Sequence, residues 1–119
     1  MILQEATIGG TVYLEYDDEQ MKLPEAERVA FKYRVLTNKE KIDLIHKTQG
    51  VSGRPNGGDV CLTACTQVDN LMRSDGTALD TVIKMMAYPD VHNRIAYMLT
   101  IVGAAIWYRQ TGEEAGLKN

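Results

Sequence analysis

The sequence is poor in the residues that would commit it to a specialised class of protein. Its 119 residues include three prolines, two cysteines, one tryptophan and one phenylalanine. Two cysteines are too few for a disulfide-rich secreted scaffold. With 45% hydrophobic and 24% charged residues, the chain is too apolar to be disordered. The length is that of one domain, so we expect residues 1–119 to fold as a single domain around one core.

The sequence also lacks a long hydrophobic run. The longest extends from Ile95 to Tyr108 and is interrupted by Thr100 and Gly103. A membrane-spanning helix needs about 20 apolar residues, so this run predicts a buried helix and no membrane partner. Residues 1–5 carry neither a basic residue nor a long apolar stretch, so we expect no signal peptide and synthesis in a reducing cytosol.

There is no excess of basic residues. The formal net charge is −3 and the sequence pI is about 5.3. Proteins that bind nucleic acid usually present a basic surface. The charge balance therefore disfavours a nucleic-acid partner.

No catalytic constellation is visible. Cys61 and Cys65 are four residues apart, but a zinc site needs two more ligands, and the only histidines, His46 and His92, are isolated. Free cysteine resembles a small hydrophobic residue, so we expect both thiols in the core. We predict no catalytic residue, no cofactor and no metal. A thiol or metal-dependent enzyme acting through the two cysteines is the alternative.

The N-terminal part has the pattern of β-structure. Residues 11–16 are rich in β-branched and aromatic side chains and follow two glycines. Residues 29–36 alternate, with Val29, Phe31 and Tyr33 on one side, as in a strand with one buried face. The pattern predicts two strands in a β-rich segment, residues 1–36, that pair as an antiparallel ribbon.

The next part begins with a helix signal. Thr37 and Glu40 form a capping box, in which each side chain can bond to the other residue's backbone N–H. This predicts a helix to about Lys47, followed by a glycine-rich loop over residues 50–59.

Further helical spacing follows that loop. We expect Asp59 to cap a helix over residues 60–72, and Asp80 to cap another that ends before Pro89. Asp75 and Gly76 between them indicate a turn. The last predicted helix spans residues 91–110.

Together these patterns predict an α+β fold. The N-terminal two-stranded antiparallel ribbon packs on a three- to four-helix bundle, because an isolated ribbon is marginal in water. The helical segment covers residues 37–111, and residues 112–119 form a frayed tail.

Six methionines suggest how the chain works. Methionine is flexible and polarizable, and surfaces that accept varied apolar partners use it. Met85 and Met86 point in different directions on a helix, so at most one faces the core. We predict that Met85, Met86 and the single tryptophan, Trp107, contact a partner protein.

Two segments resemble a known family. Residues 31–40 carry an aromatic strand that leads through Leu36 and Thr37 into a helix, and residues 68–79 carry a Val-led segment with an Asp-Gly turn. Over residues 27–119, ending in Lys118-Asn119, the chain resembles the small tail assembly chaperones of long-tailed bacteriophages. The resemblance implies a phage or prophage protein of the host cytoplasm. It would keep the tape-measure protein soluble and recruit tail-tube subunits.

Two other functions are also compatible with the absence of a recognisable catalytic constellation in the sequence. One is a structural virion component, such as a tail-tube or connector subunit. The other is a phage-encoded inhibitor of a host defence protein. Homo-oligomerisation is left open by the sequence.

Overall fold

The fold is of the predicted α+β class. A computed structural model describes residues 1–3, 9–47 and 54–111. The strands are β1 (Gly10–Tyr13), β2 (Ala30–Tyr33) and β3 (Cys65–Asp69). The α-helices are α1 (Asp18–Met21), α2 (Asn38–Lys47), α3 (Gly57–Ala64), α4 (Val82–Ala87) and α5 (Arg94–Thr111). Short 3-10 helices lie at Glu25–Glu27 and Val91–Asn93.

The sheet has three antiparallel strands with β2 in the centre. Val12 of β1 pairs with Phe31 of β2, and Phe31 pairs with Val68 of β3. All three side chains are buried, so one face of the sheet contributes a continuous apolar row to the core. The predicted pairing of the first two strands is confirmed, whereas the predicted strand number is wrong because β3 was assigned to a helix.

The predicted helix over residues 60–72 ends at Ala64. The Cys65 N–H still bonds to the Cys61 carbonyl, but the Cys65 backbone is extended, with φ −72° and ψ 131°, and continues as β3. Val68 lies four residues after Ala64, a spacing that puts it on the buried side in both a helix and a strand. Pairing of Val68 with Phe31 selects the strand.

The predicted capping box is present at α2. The Glu40 N–H donates to Thr37 Oγ1 at 3.2 Å, and the Thr37 N–H donates to Glu40 Oε1 at 3.0 Å. Arg34 adds a bidentate pair to the two Glu40 oxygens, at 2.8 and 2.5 Å. The Arg34 guanidinium and the Thr37 N–H hold the pKa of Glu40 at about 2.

Two helices begin at other caps than predicted. At α3 the side chain of Asn56 accepts from the N–H groups of Gly58 and Asp59, at 2.8 and 3.3 Å. Asp59 is therefore inside the first turn. At α4 the cap is Thr81, whose Oγ1 accepts from the Lys84 N–H at 3.1 Å. In both cases the acceptor belongs to a nearby residue with an extended backbone. Asn56 lies three positions before the predicted cap Asp59, and Thr81 lies one position after the predicted cap Asp80.

The predicted Asp-Gly turn closes a small hairpin. Met72 and Ala78 form an antiparallel bridge, and the Arg73 N–H donates to the Thr77 carbonyl at 2.8 Å. Gly76 has φ +87°, a conformation that glycine adopts without steric cost. The turn prediction is confirmed.

The predicted helical bundle is matched only in part. One long helix, α5, lies against α3, β1 and α4, while α1 and α4 have only four and six residues. α5 begins at Arg94 instead of residue 91, because His92 and Asn93 have positive φ angles of 71° and 53°.

A close crossing fixes α3 on α5. A Cβ atom added to Gly103 would lie 2.1 Å from the Gly57 carbonyl oxygen. One added to Gly57 would lie 2.7 Å from the Thr100 Cα atom. Only glycine lets the two backbones approach so closely. This contact orients α5 and thereby decides which of its faces is left uncovered. The predicted tail, residues 112–119, and residues 50–53 of the predicted glycine-rich loop lie outside the described residues.

Candidate protein-binding surface

The most distinctive surface feature is the outer face of α5. The inner face buries seven residues: Ile95, Met98, Leu99, Val102, Gly103, Ile106 and Trp107. The residues opposite them are also apolar or aromatic. Tyr97 is 55% exposed and Ile101 38% exposed, and Ala104 and half-buried Tyr108 continue the row. We call Tyr97, Ile101, Ala104 and Tyr108 the α5 stripe.

The α5 stripe is regular because its members recur at helical spacing. They occupy positions i, i+4, i+7 and i+11, which fall on one side of an α-helix. At 1.5 Å per residue the stripe is about 16 Å long. Exposed apolar rows of this kind are typical of surfaces that bind another protein.

An aromatic pair widens the stripe at its N-terminal end. The ring of Tyr16, in the turn after β1, packs edge-on against Tyr97 with centroids 5.1 Å apart and an interplanar angle of 83°. Partial burial raises the pKa of Tyr16 further above its ordinary value of 10.0. A recess of about 520 Å³ adjoins the pair and is lined in part by Ala96 and Thr100.

Met86 borders the other side of the stripe. It is 46% exposed and lines a recess of about 340 Å³ together with Gly58, Ala96 and Thr100. Ala96 and Thr100 also line the recess beside Tyr97, so Met86 and the aromatic pair flank one continuous surface.

The other two residues predicted to contact a partner lie in the core. Met85 has no exposed surface and Trp107 is 6% exposed. Neither side chain is accessible in this conformation. Of the three predicted contact residues, only Met86 lies beside the α5 stripe.

Tyr97 and Ile101 were not selected from the sequence. The signal that could have found them is that apolar side chains of α5 also occur outside its buried face. Such a helix must either be surrounded by its own protein or bind another one. The number of neighbouring elements decides between these outcomes, and the sequence pattern does not give that number.

Three arginines lie near the stripe. Arg94 is one turn before Tyr97, and the guanidinium of Arg54 lies 5.1 Å from the centroid of the Tyr108 ring. Arg109 lies about 110° round the helix axis from the stripe and donates to the Thr11 carbonyl at 2.7 Å. Within α5 there is no Asp or Glu. The α5 stripe is therefore an apolar row on a helix that carries arginines but no carboxylate.

A second apolar recess lies beside the 72–78 hairpin. It has a volume of about 390 Å³, and its lining includes Leu71, Met72, Val91 and Met98. Met72 and Val91 are exposed at its rim. This recess lies between short, irregular segments and lacks the regular spacing of the α5 stripe.

The two cysteines are free thiols at the junction of α3 and β3. Cys61 is fully buried and its Sγ donates to the Leu99 carbonyl at 3.6 Å. The neighbouring Cys65 thiol and burial raise the pKa of Cys61. Within residues 1–3, 9–47 and 54–111, no three His, Cys, Asp or Glu side chains are placed to hold a metal ion.

Comparison with known proteins gives no relative. No protein-family model matches the chain, and no curated protein or solved structure is significantly similar to it. In the described part of the chain, no helix combines the length and hydropathy needed to cross a bilayer.

Proposed function

We propose that this chain is a tail assembly chaperone of a long-tailed phage or prophage. In this role it binds the tape-measure protein and tail-tube subunits in the host cytoplasm during tail morphogenesis. The observation that carries the proposal is the α5 stripe, an uncovered apolar row on a helix that is anchored by its other face. The resemblance at residues 27–119 supplies the identity of the partners.

The physical demands of the role match this surface. A chaperone for an elongated helical protein must cover apolar segments of that protein without fixing one sequence. Helix-in-groove binding does this when an amphipathic helix lays its apolar side against a hydrophobic surface. Tyr16 and Tyr97 supply rigid aromatic area, which interfaces favour, and Met86 supplies an adaptable edge.

Co-expression tests the proposal. The chain is produced together with the large coiled-coil protein proposed as its tape-measure partner, and the soluble fraction is purified on a tag carried by this chain. We expect the large protein to become soluble and to co-elute. If it stays insoluble and this chain elutes alone, the chaperone proposal is wrong.

A matched pair of variants tests whether co-elution depends on the α5 stripe. Ile101→Glu places a charge in the middle of the α5 stripe, whereas Ile42→Glu makes the same change at an exposed position of α2. We expect only the first to abolish co-elution. Detection of the chain in purified particles would indicate instead a structural tail component, the alternative function.

A further inference from the structure

We draw no further inference here: the strongest candidate, the exposed apolar row of Tyr97, Ile101, Ala104 and Tyr108 on the outer face of α5, carries nothing beyond the proposed function, because nothing in the described part of the structure shows what covers it.

Discussion

Both faces of α5 carry apolar side chains, but the two faces differ in what covers them. On the inner face, Gly103 is in backbone contact with Gly57 of α3, and a single added carbon atom would clash. On the outer face, Tyr97 and Ile101 remain 55% and 38% exposed. The comparison teaches that hydropathy alone does not assign an apolar residue to the core. An apolar residue belongs to the core only when neighbouring elements cover it. Burial of an uncovered apolar face by a partner gives binding energy.

The strongest test of this comparison places the same side chain on both faces. Gly103→Val should lower the free energy of unfolding by about 3 kcal/mol or more, because α3 and α5 must separate to admit it. Ala104→Val, on the stripe, should cost about 0.5 kcal/mol, the helix-propensity difference. Urea denaturation measures both. Equal losses would mean that the Gly57–Gly103 crossing is not tight.

A second test uses adjacent methionines. Met85→Ala removes a fully buried side chain and should cost about 2–5 kcal/mol. Met86→Ala removes a side chain that is 46% exposed and should change stability by about 0.5 kcal/mol or less. Thermal or urea unfolding distinguishes the two. A larger loss at Met86 than at Met85 would contradict the orientation of α4.

A substitution at Gly76 measures the effect of backbone conformation on stability without a contribution from steric crowding. A Cβ atom added there meets nothing within 4 Å, but its φ is +87°. Gly76→Ala should therefore cost about 1 kcal/mol from the conformation alone, less than Gly103→Val. Gly76→Asn should recover part of the loss, because asparagine tolerates positive φ. An alanine variant as stable as the wild type would show that the turn readily takes another form.

A small effect is expected at the partly exposed ion pair of Arg34 and Glu40. Glu40→Gln retains a capping-box side chain but removes the charge that pairs with Arg34. The pKa of Glu40 is lowered from 4.5 to about 2 in the folded chain, so its contribution is present above pH 4.5 and is lost as the pH falls towards 2. We expect a difference of about 0.5–1 kcal/mol near pH 7, small because solvent screens the pair.

Urea unfolding of the wild type and of Glu40→Gln across this pH range checks the prediction. The two unfolding midpoints should converge as the pH approaches 2. A difference that does not change with pH would show that the charge of Glu40 does not contribute to stability.

Local signals in the sequence predicted local structure well. The Thr37 and Glu40 capping box and the Asp75-Gly76 turn depend on neighbouring residues only, and both appear as expected. Strand β3 was missed because Val68 fits a helix and a strand equally. Its pairing with Phe31, 37 positions earlier in the chain, decides between them. Such a contact leaves no trace in the residues around Val68.

Only one of the residues predicted to contact a partner lies at the candidate surface. Met85 and Met86 point in different directions, as helix geometry implies, and the structure places Met86 beside the α5 stripe. Trp107 was also predicted to contact a partner, yet it is 6% exposed and faces the core. Tyr97 and Ile101 were missed because the position of α3 on α5 depends on two glycines distant in sequence, Gly57 and Gly103.

Site-specific photo-crosslinking tests most directly whether the α5 stripe binds the partner. A photoreactive phenylalanine analogue replaces Tyr97 in one variant and Ile42 in another, and each is irradiated in cells that also produce the tape-measure protein. The account predicts a covalent adduct with the tape-measure protein from position 97 and none from position 42. Co-purification of the two proteins without an adduct from position 97 would contradict it.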